Sequence, residues 1–370
     1  MQHGIQDFLD SSPIANPPQG QFEPPPSFAQ EVMLSDILAE RGYRCGYAGL
    51  WEMGNDQAPQ HHFSDWYSLP GASTPYQNPT MSLNGQKVEE KGNLGDLITT
   101  HARQFLDAQQ PATPFLLVVS HRTAHPPYDG IPQKYTDLYR NTSFDNAGWE
   151  PAAPNALRDK AMLTDTVGNL RKCAAAITAL DDQLPPLLAK LQERGLRDNT
   201  LIVFTSDDGY LLGRHGLWCD ALASDPPNFY EGTVNIPLFF NWPGRAPVQS
   251  SRAELVSAYD VLPTICEAIG APAPQRNLCG RSFLRILQGG LPSRKQPWPN
   301  LALGHFRNTD MARDARFKLV LRNGGKGPNE LYDERADARE KINQYDNPQF
   351  LNTRDSLAKE IAAWKAKYSG

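Results

Sequence analysis

An α/β fold with a mainly parallel central sheet, closed by a small C-terminal α+β subdomain, follows from three observations. Two short apolar runs, Leu201–Thr205 and Phe115–Ser120, have the composition of strands buried on both faces. Helical segments with apolar stripes alternate with such runs, the order of a layered α/β domain. Residues 291–370 change character, with shorter strand-like runs and a final amphipathic helix at Thr353–Tyr368. We therefore expect an α/β domain over residues 1–290 and a subdomain of short antiparallel strands plus a closing helix over 291–370.

The chain has 370 residues, room for one large domain or for a large and a small one. Its net charge is 36 − 41 = −5 with no basic block, which argues against nucleic acid as a partner. No apolar run approaches a membrane span. Met1 is followed by Gln2, His3, Gln6 and Asp7, not by a basic and then apolar leader. The chain as given reads as cytoplasmic unless an N-terminal segment is missing. Five scattered cysteines form neither a disulfide framework nor a metal-ligand spacing, and read as small buried apolar residues.

Residues 1–27 are polar and proline-rich, with Pro24-Pro25-Pro26, and read as an extended entry. Phe28–Arg41 reads as a helix capped by Ser27, with Leu34, Ile37 and Leu38 inward and Gly42 as its stop. Tyr43–Ala48 reads as a strand. Phe63–Gly92 is loop-like, and Asn84-Gly85 within it suits a tight hairpin turn. Asp96–Leu106 reads as a helix, stopped before Pro111 and Pro114. Phe115–Ser120 follows as a strand, and then His121, Ala124, His125 and Pro126. Ala174–Leu191 is helical, with Pro185-Pro186 placed to kink or split it. Beyond Gly244 we expect a helix over Ser257–Ile269, strands at Arg313–Leu321 and Glu330–Asp333, and the closing helix.

The stretch Leu201–Gly244 carries the chemistry. Its strand ends at Ser206, and Asp207, Asp208 and Gly209 follow at once. Adjacent carboxylates at the carboxyl end of a strand repel unless a cation lies between them. They suit half of a hard-metal site with oxygen ligands; Asp-Asp-Gly is equally good chemistry for a solvated turn or a helix cap.

After these carboxylates come Leu212-Gly213-Arg214-His215-Gly216-Leu217-Trp218, Tyr230-Glu231, Ile236-Pro237-Leu238 and Trp242-Pro243-Gly244. In that order and spacing the stretch resembles the sulfatases of the alkaline-phosphatase superfamily. His3-Gly4-Ile5, the "Asp-x-Leu-Pro-Thr" piece at Asp260–Thr264, Gly280-Arg281-Ser282 and Glu330-Leu331-Tyr332-Asp333 extend the likeness over nearly the whole chain. The resemblance implies an alkaline-phosphatase-like sandwich and a sulfuric-ester hydrolase activity. It makes Asp207 and Asp208 ligands of a divalent cation, Ca²⁺ in the family. It makes His125, preceded by Ala and followed by Pro, the catalytic and substrate-contacting histidine, with His215 a second substrate-binding candidate. Tyr76–Pro79 and Leu83–Gly85 resemble a family insertion that walls the substrate cleft, an alternative to a plain hairpin. The substrate class is a small sulfate ester or another oxyanion.

Three family positions are altered. The family's Gly-Lys-Trp-His-x-Gly is here Gly49-Leu50-Trp51-Glu52-Met53-Gly54, so a lysine is Leu50 and a histidine is Glu52. The lysine expected two residues after the loop tryptophan is Asp220. The family's nucleophile, a formylglycine made from Cys or Ser in a Cys/Ser-x-Pro/Ala-x-Arg pattern, has no counterpart among residues 1–370. None of Cys45, Cys173, Cys219, Cys266 and Cys279 has Arg four positions on, and no serine fits the pattern. Two readings follow: a fragment cut just before His3, or a degenerate, non-catalytic binding or interaction module. The lysine and histidine changes favour the second, since truncation alone would not produce them.

Overall fold

A computed structural model describes residues 31–51, 58–70, 75–110, 112–274, 278–292, 295 and 297–368. In chain order its elements begin with α1 (Leu34–Ala39), β1 (Arg44–Leu50), β2 (Asp65–Leu69), β3 (Thr80–Leu83), β4 (Gln86–Glu89), α2 (Leu94–Asp107) and β5 (Phe115–Ser120). Then come α3 (Gln133–Thr136), α4 (Thr166–Asp181), α5 (Leu184–Glu193), β6 (Ile202–Thr205), α6 (Glu231–Val234) and β7 (Leu238–Asn241). The last are α7 (Val261–Ala268), α8 (Leu284–Leu287), β8 (Ala302–Phe306), β9 (Thr309–Arg313), β10 (Phe317–Arg322), β11 (Glu330–Asp333) and α9 (Leu351–Tyr368). The chain divides into two compact units; of the described residues, one takes 31–147 with 165–200 and the other 148–164 with 201–368.

The first unit is a five-stranded sheet in the order β4-β3-β2-β1-β5. β2, β1 and β5 run parallel, and the β3–β4 hairpin adds an antiparallel edge. Its two-residue turn is Asn84-Gly85, both at positive φ, as a tight hairpin demands. The hairpin expected around Asn84-Gly85 is present, but Phe63–Gly92 is not loop-like as expected, since it holds β2, β3 and β4. Strand alternation sets the packing. Ala48, Tyr67, Leu69 and Met81 pack with Leu94, Ile98 and Ala102 of α2. Gly46 faces the Phe105 ring so closely that an added Cβ would lie 2.5 Å from it. Tyr47, Trp51, Phe63 and Trp66 form an aromatic cluster, with Tyr47 stacked on Trp66 at 5.0 Å.

The second unit holds a four-stranded antiparallel sheet, β11-β10-β9-β8, and the pair β6–β7. β10 shows how a strand serves two masters. Phe317, Leu319 and Leu321 pack with Leu357 and Ile361 of α9. On the alternate positions, Val320 packs with Phe229 and Met311, while Lys318 and Arg322 reach Glu231 and the Pro227 carbonyl.

Several expectations need correction. The first helix is shorter than Phe28–Arg41: residues 31–33 are not helical, and 28–30 lie outside the described residues. Its start is set by Asp36, whose carboxylate accepts from the Met33 amide at 2.8 Å. The long helix is two, α4 and α5, and Pro185-Pro186 sits in the first turn of α5, where proline costs least. The strand expected at Arg313–Leu321 is present as β10 but starts later, at Phe317: Arg313 ends β9, and the Asp314 carboxylate accepts from the amides of Arg316 and Phe317 and turns the chain between them. β6 pairs antiparallel with β7, and Thr205 is exposed, so it is not a parallel strand buried on both faces. Apolar composition alone could not tell these apart. The mixed α/β architecture itself, with its parallel strands and C-terminal antiparallel sheet, is as expected.

Candidate functional site

His125 belongs to the first unit. It lies five residues past β5 in a turn closed by its own amide, which donates to the Arg122 carbonyl at 2.9 Å. Buried Tyr76 fastens that turn. Its hydroxyl donates to the carbonyls of His125 at 2.7 Å and Arg122 at 3.3 Å, and the Arg122 guanidinium lies over its ring. Burial pushes the Tyr76 hydroxyl up to about 12, so it stays a donor. The His125 side chain is held by Nδ1, 2.6 Å from the Pro126 carbonyl. A carbonyl only accepts, so Nδ1 carries the proton. Nε2 then accepts in the neutral ring and donates only in the imidazolium.

Leu50 closes β1 and packs against the apolar core of that unit. It is partly buried there and is paired across the sheet with Leu69. Glu52 and His3-Gly4-Ile5 lie outside the described residues.

The other predicted residues lie in the second unit, organised around Tyr230–Thr233. Asp207 is exposed, and its Oδ1 accepts from the Asp208 amide at 3.1 Å. Ser206 donates to the Asp208 carbonyl at 2.7 Å. Gly209 then donates to the Thr233 carbonyl at 3.1 Å. A Cβ on Gly209 would lie 2.3 Å from the Gly232 carbonyl, so only glycine allows this approach. His215, at φ 57°, stacks flat on Tyr230 with ring centres 3.7 Å apart. Burial pushes its imidazole down to about 4, with nearby Glu150 opposing, so it is neutral near pH 7 and a weak partner for an anion. Asp220 caps the turn at 221–223 by accepting from the Leu222 amide at 2.7 Å, with Arg158 at 4.0 Å. Asp220 thus serves as a turn cap.

Sequence reasoning missed the charged group behind this loop. Glu231 pairs with Arg313 at 3.2 Å and Lys318 at 3.3 Å. Those two cations stand directly opposite each other on β9 and β10, an unfavourable pairing unless a carboxylate bridges it. Lys318 is fully buried; it also touches the Glu340 carboxylate and has Glu334 at 3.7 Å. Glu340 in turn accepts from the Glu231 amide at 2.7 Å. Burial works against ionising Glu231, but Lys318 and Arg313 hold it below the usual range. Glu334 is pushed up to about 7 by burial, against the pull of Lys318 and with the help of Glu340 and Glu231. The only sequence signal was a lysine on a strand of alternating apolar residues, which ordinarily means a solvated face. His121 lies just past β5. Its ring nitrogens are buried and unpartnered among the described residues, and burial pushes it down to about 4.

The resemblance calls for a divalent cation. Among the described residues no three His, Cys, Asp or Glu side chains converge as metal ligands. Asp207 and Asp208 alone fall well short of the roughly six to eight oxygens Ca²⁺ takes. The described residues do not by themselves fit a closed metal site. Nor is any helix among them long and apolar enough to cross a membrane.

Comparison with known proteins bears on the same question. The sulfatase family model matches residues 4–271, and a model of the N-sulphoglucosamine sulphohydrolase C-terminal region matches residues 223–367. The N-acetylglucosamine-6-sulfatase of Bos taurus is 29% identical over 242 residues, which are 61% of this chain and 42% of that protein. The chain thus spans less than half the length of that relative. A structure solved in complex with its substrate D-glucosamine-2-N,6-O-disulfate superposes with TM-score 0.79 at 20% identity, covering 92% of this chain and 83% of the other. The phosphonate monoester hydrolase of Agrobacterium radiobacter superposes with TM-score 0.67 at 18% identity, covering 90% and 80%. At such identities these two structures establish the fold alone, and they carry different chemistries on it. The family match extends over most of the chain, and this protein belongs to the sulfatase family.

Proposed function

We propose that residues 1–370 form a sulfatase-fold module that binds sulfate esters through the His125 turn and does not hydrolyse them. The observation that carries this reading is Leu50, an uncharged side chain packed against an apolar core at a position where the resemblance places a cation. Two others support it. Asp220 puts a negative charge where the family has a second lysine. No Cys or Ser among the 370 residues has the surroundings of the family's nucleophile. Hydrolysis of a sulfate ester needs an activated nucleophile and positive charge to meet the transition state. Losing one electrostatic stabiliser costs about a hundred- to thousand-fold in rate, and here several are changed together.

Binding makes smaller demands. The imidazolium of His125 can donate from Nε2 to a sulfate oxygen while Nδ1 stays on the Pro126 carbonyl. The names of the bovine relative and of the substrate-bound structure suggest sulfated glucosamine as the class of ligand to try first.

The test is a chromogenic aryl sulfate assay on the purified chain, paired with calorimetric titration of glucosamine 6-sulfate. We expect no turnover, and saturable binding that His125→Ala weakens with the fold intact. Adding Leu50→Lys and Asp220→Lys should not create turnover. Retention of the His125 turn favours the rival reading of a working sulfuric-ester hydrolase. Sulfate release that Asp207→Ala abolishes would establish that reading instead.

A further inference from the structure

A second place in the first unit has the chemistry to take an anion, and none of the residues discussed so far lines it. A cavity of about 290 Å³ opens between the α3 region and α4, lined by Thr136, Asp137, Arg140, Arg171 and Lys172. Its walls are tied together. Tyr135 donates to Asp182 at 2.8 Å, and the Tyr139 and Thr178 hydroxyls share a hydrogen bond of 2.7 Å. Arg171 donates through Nε to the Thr142 carbonyl at 2.8 Å.

Three cationic side chains face one carboxylate. Asp137 is engaged by the Arg140 guanidinium at 2.6 Å. Arg171 has given Nε to the backbone, which fixes the plane of its guanidinium and leaves both terminal nitrogens for a ligand. Lys172 has no hydrogen-bond or ion-pair partner among the described residues. A guanidinium held from behind beside an unpaired ammonium is matched to a tetrahedral oxyanion. The volume is at the small end for a ligand pocket, enough for one charged group and the ring that carries it.

We propose that this cavity is an anion subsite that binds a single sulfate group of a sulfated saccharide, with Arg171 and Lys172 as its donors and Arg140 at its rim. The saccharide part rests on the function proposed above; the oxyanion part does not. Asp137 acts as an internal competitor, because it occupies the Arg140 guanidinium that would otherwise join the ligand.

The experiment is calorimetric titration of the full chain with glucosamine 6-sulfate, unsulfated glucosamine, inorganic sulfate and inorganic phosphate. In a His125→Ala background, binding of glucosamine 6-sulfate should persist. Lys172→Gln should weaken it roughly tenfold, the usual scale for one charge-assisted hydrogen bond. Arg171→Gln should do the same, and Asp137→Asn should tighten binding. Lys172 is exposed, so its replacement leaves the fold intact even if Arg171→Gln does not. Inorganic sulfate or phosphate binding as tightly as the sugar sulfate would overturn the saccharide assignment. Loss of all binding in His125→Ala would overturn the subsite and leave the His125 reading standing. Binding unchanged by His125→Ala but lost in Lys172→Gln would support the subsite and remove His125. No binding by any probe overturns both.

Discussion

The two units are held together by opposite means. Around β1 and α2 the interior is apolar, and Leu50 packs against it. Behind the His215 loop the interior holds a buried lysine among three carboxylates. An apolar core tolerates exchange of one hydrophobic side chain for another of similar volume. A buried charged group does not tolerate loss of one member, because the partners left behind keep their desolvation cost. The apolar region is therefore the one more open to substitution. The region built on charges is fixed by them.

The largest expected effect tests that contrast directly. Lys318→Met leaves Glu231, Glu334 and Glu340 without their shared cation and should cost about 3–5 kcal/mol in urea unfolding, the range for breaking a buried ion pair from one side. Adding Glu334→Gln and Glu340→Gln to Lys318→Met should recover a large part of that loss. No recovery would mean that Lys318 acts by packing rather than charge. On the other side of the comparison, Leu50→Lys should cost only about 1–3 kcal/mol, since Leu50 sits at the margin of its core and a lysine stem can reach water.

Tyr76→Phe removes a hydroxyl that donates to the two carbonyls of the His125 turn. We expect a loss of about 1–2 kcal/mol. The same change should weaken glucosamine 6-sulfate binding, which a purely structural tyrosine would leave alone.

The pH profile offers a finer test. Glu334, raised to about 7 when folded, binds its proton more tightly in the native state than in the unfolded chain. Its contribution is present in acid and is lost as pH rises from the ordinary carboxylate range through about 7. His215, lowered to about 4, works the other way. Its contribution is present above the ordinary imidazole value and is lost as pH falls toward 4. Between roughly pH 4.5 and 6.5 the two slopes oppose each other. His121, also lowered to about 4, adds to the His215 slope, so Glu334→Gln should steepen the decline in thermal stability toward acid. An unchanged profile would mean that Glu334 titrates normally. The smallest effect concerns metal: Asp207 and Asp208 should bind Ca²⁺ only weakly, and calorimetry finding no heat even at millimolar Ca²⁺ would end that idea.

Much of the first unit was legible in the sequence because its determinants are local. Phe115–Ser120 has the bounds it was expected to have, and Asn84-Gly85 makes the turn its chemistry suggests. The altered positions Leu50 and Asp220 could be read as departures from a motif, but their new work, core packing and turn capping, needed the structure. The site's support was not legible at all. Glu231 meets Lys318 and Glu340 only through the register of β9 and β10 and a loop beyond β11, and no spacing rule joins residues so far apart in the chain. β6 failed for a related reason, since an apolar run does not say which strand it will pair with.

The Lys318 group also has a consequence for biosynthesis. Glu231 leaves the ribosome well before Lys318, and Glu340 comes later still. Until then its carboxylate has no buried partner and must remain in water. We therefore expect the second unit to close around Tyr230–Thr233 only once Lys318 and Glu340 have been made, even though every residue of the Asp207 turn and the His215 loop is already out. Transcripts or nonsense alleles ending before residue 334 should yield a chain whose first unit can still assemble while its second unit stays open to proteases.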